Sequence, residues 1–473
     1  MSYTILMKLF NSTKQFFVLA IILISLPVAV TLVGNKTNIL KRAYSEVFGN
    51  KAEFAVNLTD SYEMSGFHWS NFAQGGEEKE GMLSAVSASL KSLSPTYIRL
   101  DHIYDYYEPV KKDNDGNFIF DWFRLDKELK AITDSGATPF LSLSYMPSAI
   151  TSGSEVDLPQ SWDEWQLLVK NTVEHISGIN GLALANVYYE IWNEPDLFGE
   201  YKVYGPKNYL TLYNYSIRGA EAAENALPFK IGGPATTALY KSWYDSFLTY
   251  IATNNLRIDF YSWHRYSTNI SDYEDDIEKI AQWSLKFPQY RDIELIISEY
   301  GYDSKIDKGY DGEFSAIHSL SLAATTFNKL DKVFAFEVKD GPGTKQYWGR
   351  WGMLTHEKFG TPVKKPRFYA YDFLNRMKGR RYVVVGQGSW VKAFVTGEDN
   401  IIRMLLVNYD PFGRHTENVP IHFVNIPSGE FTYRRIDFLG GMTEQFVNIN
   451  TPDWTVHEYM KANSAAILEI IYQ

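Results

Sequence analysis

Val187-Tyr188-Tyr189-Glu190-Ile191-Trp192 is an apolar and aromatic run holding a single charge, and Asn193-Glu194-Pro195-Asp196 follows it at once. Such a run, stopping abruptly at polar residues, reads as a buried strand that ends in a loop. Seven more runs share this character: Met64 to His68, Thr96 to Leu100, Thr138 to Leu143, Phe229 to Gly232, Asp259 to His264, Glu294 to Ser298 and Lys332 to Val338. Between them lie helical stretches, among them Glu80 to Ser92, Leu125 to Ser135, Ser161 to Ile176, Pro206 to Asn225, Lys241 to Asn254, Asp272 to Lys286 and Phe314 to Lys329. Ser161 with Glu164 reads as a capping box, and Pro206 suits a first helical turn. Strand and helix alternate eight times, and no strand is followed by Gly-x-Gly-x-x-Gly. The pattern predicts an α/β protein built on a (β/α)8 TIM barrel rather than an open doubly wound sheet.

Beyond Met377 the texture changes. Tyr382 to Val385, Trp390 to Val395, Ile401 to Asn408, Val419 to Phe423, Glu430 to Asp437 and Ala465 to Ile471 are alternating or β-branched runs separated by turn clusters, which predict a C-terminal antiparallel β-sandwich. Lys51 to Leu58 reads as a strand lent to that sandwich from the other end of the chain. The expected division is a short tail at 1–15, an apolar segment at 16–34, a linker carrying the lent strand at 35–58, the catalytic barrel at 59–380 and the β-sandwich at 381–473.

The apolar segment, Phe16 to Gly34, is long enough at about 1.5 Å per residue to span a hydrocarbon core of about 30 Å. It reads as a transmembrane signal anchor, or as a signal peptide if cleaved, although no Ala-x-Ala-like site follows Leu26-Pro27-Val28-Ala29-Val30. The body would then be extracytoplasmic, joined to the membrane through this N-terminal helix, or secreted. Sequons at Asn57, Asn214 and Asn269 fit an exported body. The 473 residues carry a net charge of −10, which argues against nucleic acid as a partner, and they contain no cysteine. No protein partner is evident. Tyr 33, Phe 29 and Trp 12 bring the aromatic share to 16%. Aromatic rings suit sugar faces, and they equally suit packed cores.

Reactive groups of such a barrel sit where strands end, at its carboxyl-terminal face. Glu194 follows the fourth run and Glu299 the seventh. Two carboxyls facing each other across the barrel mouth are what glycoside hydrolysis needs, one to protonate the leaving oxygen and one to attack the anomeric carbon.

Ile191-Trp192-Asn193-Glu194-Pro195 and Ser298-Glu299-Tyr300 resemble the acid/base and nucleophile segments of the retaining (β/α)8 glycoside hydrolases. Glu190 through Leu197 is similar, more narrowly, to the xylosidase and iduronidase family, glycoside hydrolase family 39. Tyr97-Ile98-Arg99-Leu100, Tyr145-Met146-Pro147, Gly232-Gly233-Pro234 and Trp263-His264-Arg265-Tyr266 continue the resemblance in register. It implies Glu194 as general acid/base and Glu299 as nucleophile, with no metal and no cofactor. Asn193 would bond the sugar 2-hydroxyl or else cap the strand end. Tyr266 and Arg99 would hold Glu299 ionised, whose charge would keep Glu194 protonated, unless Arg99 only pairs with Asp101 or Glu63. His264 would line the glycone site or be a satisfied core residue.

Two departures bear on substrate. The xylosidase branch has a His two residues after the strand-two Arg, where this chain has Asp101 beside His102. The eighth strand lacks the Trp that often floors the glycone site, so Trp348 or Trp351 is expected in its place. With the long Tyr104 to Phe120 loop, these features point to a retaining, endo-acting hydrolase of a polysaccharide or oligosaccharide. The alternative is a non-catalytic carbohydrate-binding or scaffold protein on the same fold. Tyr188, Trp192, Trp263, Tyr266, Tyr300, Tyr302, Trp348 and Trp351 are the aromatics expected at the sugar-facing end.

Overall fold

Apolar runs flanked by helices pair side by side and in parallel in the computed structural model, which describes residues 49–63, 69–75, 78 and 81–472. In chain order the first strands are β1 Phe54–Tyr62, β2 Asn71–Gln74, β3 Tyr97–Leu100, β4 Val110–Lys112, β5 Phe118–Phe120 and β6 Thr138–Leu143. β7 Val187–Ile191, β8 Phe229–Thr236, β9 Phe260–Tyr266, β10 Glu294–Gly301 and β11 Lys332–Phe336 follow. β2, β3 and β6 to β11 close into an eight-stranded parallel barrel in which β11 returns to β2. The run expected as the first strand, Met64 to His68, lies outside the described residues, and Asn71–Gln74 takes its place between β11 and β3. The long 104–120 loop holds a small hairpin, β4 with β5.

Helices α1 Ser87–Lys91, α2 Phe123–Asp134, α3 Trp162–Ile176, α4 Tyr209–Glu221, α5 Lys241–Asn254, α6 Ile270–Ser284, α7 Glu313–Thr326 and α8 Pro366–Leu374 surround the barrel. In α3 the buried residues Trp165, Leu168, Val169, Thr172, Val173 and Ile176 recur at helical spacing and form the face laid on the strands. Its expected capping box does not form: Ser161 makes no side-chain cap bond, and Glu164 pairs instead with Lys112. Pro206 falls short of α4, which begins at Tyr209 with Asn208 capping the Leu210 N–H.

The strands after the barrel are β12 Arg380–Val385, β13 Val391–Glu398, β14 Ile401–Asn408, β15 Glu417–Val424, β16 Gly429–Asp437, β17 Met442–Ile449, β18 Asp453–Met460 and β19 Ser464–Tyr472. With β1 they make one nine-stranded sheet in the order β17-β16-β19-β14-β13-β12-β1-β15-β18. The pairing is antiparallel except between β1 and β15. The sheet folds over itself, because Tyr433 of β16 donates to Glu458 of β18 at 2.6 Å and packs edge-on against Trp454 at 5.2 Å. Phe54, Val56, Val395, Met404, Ile421 and Phe431 fill the space inside. The other face of β13, β14 and β19 lies on the barrel, where Phe394 meets Phe327 at 4.7 Å. α7, caught between barrel and sheet, is buried from Ser315 to Thr326.

Among the described residues no helix is long and apolar enough to cross a membrane, and the anchor expected at 16–34 lies outside them.

β1 joins β12 to β15 inside the folded sheet, so its side chains link the two parts of the layer. Phe54 is fully buried, and Phe54→Ala is expected to lower stability by about 3–5 kcal/mol in urea unfolding of the body.

Candidate active site

Arg99 enters the barrel core from β3 as a fully buried cation, and an unpaired charge there would be prohibitively costly. Each nitrogen it offers is met. Nε donates to Glu190 at 2.7 Å, Nη1 to Glu299 at 2.7 Å and Nη2 to the Asn193 side-chain oxygen at 2.7 Å. Burial pulls the guanidinium pKa down, but Glu190, Glu299 and Asp101 pull it further up, so the group stays charged. Of the alternative partners read from sequence, Asp101 adds to the field around Arg99, and Glu63 pairs with Arg380 on the surface instead.

One side-chain bridge after another then fixes the site. Asn193 donates to the Tyr145 hydroxyl at 2.7 Å, and the Tyr266 hydroxyl donates to the second oxygen of Glu299 at 2.9 Å. His264 Nδ1 lies 2.8 Å from Glu194 and 3.5 Å from Glu299. One oxygen from each of Glu194 and Glu299 and the His264 nitrogen all lie within 4.8 Å of one another. His264 is therefore a bridge between both carboxyls.

The backbone is bent to present these groups. β10 bulges between Ile297 and Glu299 against β9, and β8 bulges between Pro234 and Thr236. Bulges re-aim side chains at barrel rims. Trp192 (φ 71°) and Glu194 (φ 44°) both lie in the left-handed region, a strain of about 1–3 kcal/mol each that the surrounding contacts must hold. The Glu194 N–H, for instance, donates to the Ala235 carbonyl at 3.0 Å.

Burial raises the Glu299 carboxyl pKa; His264 and Arg99 oppose this, Glu194 and Asp101 add to it, and the net direction is up. Arg99 thus acts on Glu299 in the expected sense, and the Tyr266 hydroxyl donates to it, while burial works against both. Burial lowers the His264 pKa, whereas Glu299 and Glu194 raise it, with a net rise.

Among the sequence-predicted residues, Glu194, Glu299, Asn193, His264, Tyr266 and Arg99 come together. Trp351 reaches the site through Phe336, at 5.3 Å, which packs on Tyr266 at 6.4 Å. Trp348 is linked to Trp351 through Arg350, whose guanidinium stands 3.8 Å from the Trp351 ring and 5.4 Å from that of Trp348. Several expected sugar-facing aromatics are core instead. Tyr188 donates to Glu294 at the barrel floor, Trp192 to the Phe198 carbonyl and Trp263 to Asp276. Tyr300 bonds Tyr371 and Tyr302 packs on Tyr310 at 4.2 Å.

Glu190, Tyr145 and Glu337 were not expected here. A glutamate inside an apolar run was the available signal for Glu190, since such a charge demands a buried partner. Glu337, wholly buried at the end of β11, accepts from Gln74 at 3.2 Å, and burial pushes its carboxyl well up. A second His-carboxylate group, Glu78, His356 and Glu357, has the spacing of a metal site. The Lys339 ammonium, 3.0 Å from Glu78 and 2.9 Å from Glu357, already supplies it with a positive charge.

The model for Glycosyl hydrolases family 39 matches residues 78–299. A "Beta-xylosidase" of Caldicellulosiruptor saccharolyticus is 25% identical over 299 residues, covering 57% of this chain and 59% of that protein. One from Geobacillus stearothermophilus is 22% identical over 304 residues, with the same coverage. The chain spans about three-fifths of the length of these relatives. A monomeric beta-xylosidase from Caulobacter crescentus CB15 superposes with a TM-score of 0.72 at 18% identity, over 89% of this chain and 99% of that one. A bacterial orthologue of human α-L-iduronidase does so with a TM-score of 0.67 at 12% identity, over 90% and 84%. At these identities the two structures speak for the fold alone.

Arg99→Met removes the counter-ion of two buried carboxyls and is expected to cost about 3–5 kcal/mol, read as a lower urea midpoint. His264→Asn takes away a charge that lowers the Glu299 carboxyl. The Glu299 pKa then rises, and the acidic limb of a pH profile that requires Glu299 ionised moves to higher pH.

Proposed function

We propose that the chain, whose residues 78–299 match Glycosyl hydrolases family 39, is a retaining glycosidase cleaving a β-linked, xylose-type saccharide by double displacement. The observation that carries the proposal is the proximity of the two carboxyls, whose oxygens approach within 4.8 Å. That agrees with the separation of about 5–5.5 Å used for retention and not with the roughly 6.5–9.5 Å that leaves room for an inverting water. The β linkage and the sugar type come from the relatives named beta-xylosidase.

In the first step Glu194 gives its proton to the glycosidic oxygen while the Glu299 carboxylate attacks the anomeric carbon. Arg99 and Tyr266 aim the two Glu299 oxygens. Asn193 uses one amide N–H on Tyr145 and keeps the other for the sugar 2-hydroxyl, a contact that strengthens as the oxocarbenium-like transition state forms. Esterified Glu299 no longer carries charge, and Glu194, now ionised beside His264, accepts a proton from the water that attacks the ester. Configuration at the anomeric carbon is retained after the two inversions. A barrel that only bound sugar would have no use for a carboxylate held by two donors next to a second carboxyl, which weighs against the binding-protein alternative.

Endo action and a membrane-anchored, extracytoplasmic body remain part of the proposal on sequence grounds, from the apolar 16–34 segment and the long loops. Product length on a xylan tests the first.

The roles separate in two variants assayed on an aryl β-xyloside, with the Glu194/Glu299 double variant as blank. Glu299→Ala is expected to abolish turnover. Glu194→Ala is expected to lose about 10²–10⁴-fold and to recover with azide, releasing a β-glycosyl azide. Full hydrolysis by Glu299→Ala would remove the nucleophile assignment.

A further inference from the structure

Where the barrel and the folded sheet meet, they leave a cavity of about 460 Å³ between them. Its walls come from both sides: Asn269, Ser271 and Glu274 at the start of α6, Trp390 and Lys392 at the start of β13, and Tyr409 and Phe412 just past β14. Ligand sites have volumes of about 300–1,000 Å³ and favour such boundaries. α6 begins just after β9 ends at Tyr266, the residue that donates to Glu299, so the cavity lies toward the end of the barrel that carries the two carboxyls.

The lining is held in place by bonds that do not need a ligand. Trp390 stacks on His415 at 4.6 Å, and the Tyr409 hydroxyl donates to the Thr268 carbonyl at 2.8 Å. The Phe412 N–H donates to the buried Asp410 carboxylate at 2.8 Å, while Phe412 itself is 58% exposed. A ring presented on a fixed turn binds without a loop having to be ordered first.

Two polar groups of the lining are uncommitted. Asn269 stands at the N-cap of α6 without bonding a helix N–H through its side chain, and neither its amide nor the Ser271 hydroxyl has a protein partner among the described residues. The lining's only charged residues, Glu274 and Lys392, neutralise each other at 2.7 Å. A ligand therefore meets aromatic rings, a free amide, a free hydroxyl and no net charge. A neutral sugar, apolar on its C–H faces and hydroxylated around its rim, matches that set, whereas a phosphate or a uronate would find no unpaired cation.

We infer that this cavity is a second saccharide site, separate from the catalytic mouth, which holds a neutral sugar residue of the polysaccharide. The choice of sugar rests on the glycosidase reading; the site itself touches none of the residues that break the bond.

The test measures xylan binding by affinity electrophoresis through gels containing soluble xylan, in a Glu299→Gln background so that the polymer is not consumed. Phe412→Ala removes the exposed ring, and Ser271→Trp fills the cavity. Each is expected to raise the dissociation constant about fivefold. With Glu299 restored, kcat/KM on an aryl β-xyloside is expected to stay within about twofold of wild type in both. Dissociation constants unchanged in both variants, a parent chain that xylan does not retard, or an equal loss on the aryl xyloside would overturn the second site. Wild-type protein that leaves the aryl xyloside intact while both variants still weaken xylan binding would instead remove the glycosidase reading and leave the second site standing.

Discussion

One buried guanidinium organises this molecule. Arg99 sits in the barrel with no water to solvate it, and it is stable only because Glu190, Glu299 and Asn193 each take one of its donors. The constraint works in both directions. The cation needs two carboxyls, and the two carboxyls need the cation, so removing any member leaves a charge stranded. Since the partners come from β3, β7 and β10, the same three bonds that neutralise the core also fix the distance across the mouth.

What that constraint leaves free is one degree of chemistry. Glu299 is aimed by Arg99 and Tyr266, while Glu194 stands on strained backbone and faces His264 rather than Arg99. The two glutamates thus have different neighbours, which is what the proposed double displacement asks of them. His264 touches both.

The fold was legible because the barrel strands are short, apolar and buried, and the helices between them carry one apolar face. Glu194 and Glu299 were legible because each closes such a strand. The network behind them was less so: the charge of Glu190 inside an apolar run demands a buried partner, but the run does not say that the partner is Arg99. β17 and β18 were missed for a plain reason. β17 is exposed along most of its length and β18 alternates polar residues outward, so neither has an apolar run. The aromatic excess misled in part, since Phe140, Tyr188, Phe260 and Phe334 fill the barrel where aliphatic side chains usually do. Among residues at strand ends, hydrogen-bond partners rather than ring type separate core from site: the Trp192 and Trp263 indoles point at protein acceptors.

The central claim is that Glu299, held by Arg99 and Tyr266, bonds covalently to the sugar. A 2-deoxy-2-fluoro-β-xyloside with a good leaving group slows the second step more than the first and traps that ester, which peptide mass mapping then locates. The account predicts one fluoroxylosyl adduct per chain on the peptide containing Glu299, absent from Glu299→Gln. An adduct on another residue, or substrate turnover with inversion and no adduct, would contradict it.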